Sequence, residues 1–247
     1  MSDRDGLAGG DPEGYQAAEA AAGPQQGRLN SLRAAVLGAN DGIVSTAGIV
    51  IGVAGATLDP FPILTAGIAG LTAGALSMAV GEYVSVSAQR DTERALLDIE
   101  RRELAEMPEE ELAELADLYV RKGLDPELAH QVAEQLHAHD ALGAHAETEL
   151  GINPDELTNP WVAALSSAIS FTVGSILPLI AIVLAPQDIK IPVTVAAVVA
   201  ALVLTGYLSA RAGGTRISRA VARNVVGGLL AMGVTYWIGR LVGHTLG

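Results

Sequence analysis

Five apolar runs constrain this chain more than any other feature: Ala34–Thr57, Pro62–Ser87, Trp161–Ala185, Ile191–Ala210 and Ala220–His244. Each is about 20–25 residues long, enough for a helix to cross a hydrocarbon core roughly 30 Å thick. A water-soluble chain of 247 residues has no use for so many long, nearly uncharged runs. Hydrocarbon offers the backbone no hydrogen-bond partner, so a spanning segment must satisfy its own amides, and the runs are predicted helices. The expected fold class is an all-α membrane protein, with five transmembrane helices and a three-helix cytoplasmic insert between the second and third spans.

Charge divides the chain in the same way. The net charge is −13, and Asp91–Glu156 carries 19 acidic residues against 5 basic ones. The remainder is close to neutral. An insert this acidic argues against nucleic acid as a partner and attracts cations. The sequence predicts a disordered polar tail over 1–30, spans one and two over 31–87, the insert over 88–158, and spans three to five over 159–247. Arginines flank the spans unevenly: Arg28 and Arg33 precede the first, the insert carries several, and Arg211, Arg216, Arg219 and Arg223 lie between the fourth and fifth. The positive-inside rule then places the N-terminus and the insert in the cytoplasm and the C-terminus outside. Arginine-rich, lysine-poor usage tilts the membrane towards a bacterial plasma (inner) membrane. There is no cysteine, which excludes disulfides and thiolate metal sites.

Within the spans, Asp41 stands out. A carboxylate at membrane depth costs at least about 2.5 kcal/mol on insertion scales and marks a pathway or a partner. Met78 falls at a matching depth on the second span. A carboxylate with a thioether suits a borderline-soft divalent cation better than Na⁺ or Mg²⁺. Glu82, one turn further along, sits either at the mouth of a pathway or snorkelling into the interface. The spacings Gly48–Gly52 and Gly70–Gly74 permit close helix packing, within one bundle or between two copies.

In the insert, helical phase selects further residues. From Pro62 to Met107 one continuous helix is predicted; Pro108 then opens a second helix that stops at Gly123, and Asp125-Pro126 opens a third that ends at Gly151. At about 100° per residue, Leu96, Leu104 and Met107 fall within about 40° of Glu100, and Glu103 lies at the edge of that apolar face. On the second helix Leu115 and Leu118 flank Glu111, with Glu114 on the edge. Two E-x-x-E pairs are thus set on faces expected to be buried, with no basic residue beside them. Buried carboxylates must be paired, protonated or bound to metal. On the third helix His130, Glu134, His137 and His145 share one stripe, read as a solvated polar face; Glu149 lies where that stripe meets the apolar side. Glu127/His130 and Glu134/His137 match the E-x-x-H pairs of di-iron bundles, but both are on one helix where such bundles use two. No Ser-His-Asp order, G-x-x-x-x-G-K or HExxH motif occurs, so nothing in the sequence argues for an enzyme.

The stretches "GANDGIVSTAGIVIGVAGA" and "TAGIAGLTAGALSMAVGEYVSVSAQRD", the glutamate-rich insert and "ELGI" together resemble the vacuolar iron transporter family, from about Ser31 to the C-terminus. The resemblance implies a homodimer that moves Fe²⁺, and often Mn²⁺, out of the cytosol, with exchange for protons in at least some members and a path between the subunits. It implies a pathway role for Asp41 and Met78. It also implies that Glu100, Glu103, Glu111, Glu114 and Glu149 bind metal in the insert. His145 and Ala146 stand where plant members have two methionines, so His145 joins the expected ligands; Gly70 stands where plant members have a glutamate. Fe²⁺ or Mn²⁺ is expected as cargo rather than as a prosthetic group, with Zn²⁺ also compatible with the donors. The expected partners are divalent metal ions, protons, the lipid bilayer and a second copy of the chain. The alternative is a membrane-anchored metal buffer or sensor through which nothing passes.

Overall fold

The computed structural model describes residues 35–246; the N-terminal tail expected over 1–30 lies outside them, as do Arg28 and Arg33. The described residues form seven α-helices and no strand. In chain order they are α1 (Ala35–Ala56), α2 (Pro60–Glu106), α3 (Pro108–Arg121), α4 (Pro126–His145), α5 (Pro160–Leu184), α6 (Lys190–Ala212) and α7 (Ile217–Leu246). A π-helical turn, Ala146–Leu150, extends α4, and a 3₁₀ turn, Gln187–Ile189, leads into α6. α1, α2, α5, α6 with its 3₁₀ lead-in, and α7 are long and apolar enough to cross a membrane. α2 runs 47 residues without a break, about 70 Å at 1.5 Å per residue and far longer than a span requires. No proline interrupts it after Pro62, and Pro108, which lacks an amide hydrogen, opens the next helix where that hydrogen is not needed.

The helices gather into two compact units. One comprises the described residues up to Ala79 together with those from Leu165 onward; the other is Val80–Ala164. In the first, α1 is the central helix: half of its apolar window is buried, against 11–28% for the other four candidate spans. Ile43, Ala47, Val50, Ile51 and Ala54 pack with Ile63, Ile182, Val198, Leu202 and Met232. Small residues let the backbones approach. A Cβ on Gly174 of α5 would fall on the Ala39 carbonyl of α1, and one on Gly239 of α7 would fall on the Gly52 carbonyl. Ser175 Oγ donates a buried hydrogen bond to the Gly42 carbonyl at 3.2 Å. Gly48 and Gly52 face Thr235, Gly70 faces Ile49 and Gly74 faces Phe171. Both glycine pairs therefore serve packing within one bundle, the first of the two roles their spacing allowed.

Outward, the same helices are apolar. On α5, Leu165, Ile169, Val173, Ile176 and Ile180 form an exposed stripe, while Phe171 and Ile182 are buried. In water such a stripe would be a large uncovered patch; in hydrocarbon it faces its own solvent. Trp161, also exposed, packs its ring on Tyr83 with centroids 4.6 Å apart.

The second unit is built from the C-terminal part of α2 with α3, α4 and the π-helical turn. Leu115, Ala116 and Ala133 form its core, with Leu112, Tyr119, Leu136 and Ala144 around it. Asp125 caps α4 by accepting the Glu127 amide at 3.0 Å. Gly123 (φ 103°) and Gly151 (φ 66°) take the left-handed conformations that end α3 and the π-helical turn, where a side chain would be strained. α4 is not regular: Asp140 adopts φ −157°, ψ 90°, a kink that breaks the helical phase before the helix resumes towards His145.

Candidate metal centre

Four elements of the second unit bring ligating side chains together. Glu100 comes from α2, Glu111 from the first turn of α3, His145 from the end of α4 and Glu149 from the π-helical turn. Nδ1 of His145 lies 3.0 Å from Oε1 of Glu100, 3.6 Å from Oε2 of Glu111 and 4.0 Å from Oε2 of Glu149. One ligand atom from each of Glu100, Glu111 and His145 falls within 4.8 Å of the others. Metal–ligand bonds of about 2.0–2.2 Å let a single ion touch donors up to roughly twice that distance apart, and small carboxylate rotations close the remainder. His145 is fully buried, and Glu100 and Glu111 are 3% and 6% exposed. No arginine or lysine is paired with them among the described residues.

Such a site is electrostatically costly when it holds only its own charges. Burial pushes the Glu100 carboxyl up to about 7, with Glu149 and Glu111 adding repulsion. Burial also raises Glu111, assisted by Glu114 and Glu103, and raises Glu149, assisted by the same two. His145 moves the other way, lowered by burial and then by His137. The acids are thus driven towards their neutral form and so is the imidazole. The 3.0 Å contact is accordingly not a strong ion pair. Neither Glu100 Oε1 nor either nitrogen of His145 has an aligned hydrogen-bond partner among the described residues. Buried donors and acceptors left in that state are costly, and a divalent cation relieves the repulsion and supplies a partner for the Glu100 oxygen and for Nδ1 of His145. Two carboxylates and an imidazole form a mixed oxygen–nitrogen set suited to Fe²⁺, Mn²⁺ or Zn²⁺.

These shifts predict an unusual pH response. Between about 4.5 and 7 the folded Glu100 holds a proton that the unfolded chain releases, so metal-free stability falls as pH rises, by on the order of 3 kcal/mol from this group. Glu111 and Glu149 act in the same direction. His145 opposes them below about pH 6.5, where the unfolded chain binds the proton more tightly, but it is one group against three. Thermal unfolding of the metal-free protein should therefore shift to lower temperature between pH 5 and pH 7, and added Mn²⁺ should reverse the loss. A metal-free protein that gains stability over that range contradicts the electrostatics described here.

The other expected residues are placed as follows. Glu103 is half-buried and Glu114 is exposed, so neither belongs to the buried trio, although both raise Glu111 and Glu149 through space. The stripe read as a solvated face divides: His130 and Glu134 are exposed, 3.6 Å apart, His137 is half-buried, and His145 is fully enclosed. The solvated reading is corrected for His145. It assumed one helical phase from Pro126 to Gly151, whereas the break at Asp140 resets the phase before His145 is reached; the π-helical turn resets it again only for the residues that follow. In the first unit, Asp41 is exposed on α1 and accepts a hydrogen bond from Ser45 Oγ at 2.9 Å. Within the single chain it is not enclosed by its neighbours. Met78 is half-buried, and Glu82, in the second unit, is exposed.

Fold and site together define the class: a multi-pass helical membrane protein with a buried carboxylate–imidazole cluster in the helical unit between its second and third spans. The chain belongs to the VIT family, whose model matches residues 32–240. It is similar to a protein named vacuolar iron transporter from Acanthamoeba castellanii, 42% identical over 216 residues that cover 87% of this chain and 80% of the relative. It is also similar to vacuolar iron transporter homolog 4 of Arabidopsis thaliana, 36% identical over 217 residues (87% and 86%). Vacuolar iron transporter homolog 5 of Oryza sativa subsp. japonica is 36% identical over 215 residues (87% and 81%).

Proposed function

We propose that this protein is a secondary transporter that moves Fe²⁺, and Mn²⁺ as well, out of the cytosol in exchange for protons. The observation that carries the reading is the enclosed trio of Glu100, Glu111 and His145, a donor set for a divalent cation in a family whose named relatives are iron transporters. Residues 88–158 act as the cytoplasmic metal-binding domain, with Glu149, Glu103 and Glu114 adding negative charge around the trio. The arginine distribution supports a cytoplasmic N-terminus and an external C-terminus, and the arginine-rich, lysine-poor usage supports residence in a plasma membrane.

Asp41, Met78 and Glu82 form the transport pathway in this reading. An exposed carboxylate on the flank of a span is untenable against lipid. A second copy of the chain covering that flank resolves the conflict, which supports a homodimer with the pathway between its subunits. Protonation of Asp41 or Glu82 after metal release returns the carrier. Gly70 offers no carboxylate, so proton coupling does not run through that position.

The test is uptake of Fe²⁺ and Mn²⁺ into proteoliposomes under an imposed pH gradient, with Zn²⁺ as competitor. Accumulation that depends on the protein and dissipates the gradient supports the reading. Binding without uptake favours the buffer or sensor instead.

A further inference from the structure

We infer that His137 is a positioning residue for the metal centre: its Nδ1 accepts a hydrogen bond from Nε2–H of His145 when Nδ1 of His145 holds the cation. This rests on the metal-capture reading above and extends it to a residue outside the ligand set.

The argument starts from the two nitrogens of His145. Nδ1 is the one turned to Glu100, Glu111 and Glu149. An imidazole that ligates through Nδ1 is neutral and carries its proton on Nε2. That Nε2 is buried and has no hydrogen-bond partner among the described residues. The ligating tautomer therefore creates an enclosed N–H in need of an acceptor. The adjoining ring is that of His137, with centroids 5.9 Å apart and the planes at 76°, edge to face. Its Nδ1 is likewise buried and unpartnered among the described residues. One ring has a donor to place and the other an acceptor to fill. A small rotation of His137, or one water shared by both nitrogens, joins them. His137 is only half-buried, and its Nε2 is not among the enclosed unpartnered atoms, so that nitrogen can keep its own proton. In an unbroken helix residues eight apart point roughly 80° away from each other; the irregular backbone at Asp140 is what sets these rings side by side. A partner on the outer nitrogen of a ligating histidine fixes its tautomer and ring orientation and raises its basicity.

The experiment is a Mn²⁺ titration of the full-length protein in detergent, with free Mn²⁺ read by electron paramagnetic resonance and His145→Ala identifying the sites that depend on the cluster. His137→Ala should weaken those sites about 10–100-fold. His137→Asn, whose Oδ1 replaces Nδ1 as acceptor, should restore most of the affinity. His137→Gln places its amide where Nε2 was and should not. A purely structural role predicts no such split, so equal affinity of the Asn and Gln variants overturns the inference even if the Ala variant fails to fold. Wild-type affinity in His137→Ala overturns it as well. If His145→Ala leaves Mn²⁺ binding unchanged, the metal-capture reading itself is wrong and this inference falls with it.

Discussion

Replacing Asp41 by Ala should abolish Fe²⁺-dependent proton flux in proteoliposomes while leaving the protein as stable as before, or more so. The two halves of that expectation have separate causes. Asp41 is exposed on α1 of the single chain, and its one described side-chain partner is Ser45 Oγ. When the carboxylate is removed, that hydroxyl can turn to the carbonyl four residues back, as Thr72 and Thr172 already do. Nothing buried is left without a partner. The insertion penalty of a charge at membrane depth, at least about 2.5 kcal/mol, is removed as well. A structural anchor would behave in the opposite way, with its loss lowering stability. Undiminished flux in Asp41→Ala removes the residue from the mechanism; an unfolded variant reassigns it to structure.

Glu100→Gln is expected to have the second large effect, again with opposite signs for function and stability. The substitution preserves shape but removes a carboxylate that is 3% exposed and held near neutrality at about 7 by burial and by Glu149 and Glu111. At neutral pH the metal-free variant should unfold at a higher temperature than the wild type, because the mutual repulsion of the acids declines. Divalent metal, in contrast, loses a direct ligand. The affinity of the cluster should fall beyond the roughly 10–100-fold typical of losing an outer partner, and added Mn²⁺ should no longer raise the unfolding temperature. Loss of stability in the metal-free variant would show that Glu100 is a structural hydrogen-bonding group instead.

Much of this was legible in the sequence because two signals are local. Run length announces the spans, and α2 continues from Pro60 to Glu106 because nothing in its sequence stops it before Pro108. Phase placed Glu100 and Glu111 on buried faces, although the face is centred differently than expected. Leu97 is buried at 2% exposure, while Leu96 and Met107 are exposed at 38% and 39%. Apolar residues on both flanks of Glu100 left a choice of centre that helical phase alone does not settle.

His145 was less legible. Its position on the third helix pointed to solvent, and only the resemblance placed it among ligands. The cause is backbone geometry that composition does not encode: an extended residue at Asp140, inside α4. Once a helix slips phase, counting at 100° per residue no longer says where a side chain points. The partnership with His137 was hidden for the same reason. Asp41 shows a different limit. One chain's sequence marks a carboxylate as anomalous in lipid, but it does not say what covers it.

The most direct test of the account is to locate the ion. Crystals of the full-length protein grown with Mn²⁺, measured at the manganese absorption edge, should give an anomalous peak bounded by Glu100, Glu111 and His145. Peaks confined to exposed carboxylates, with none inside that trio, contradict it.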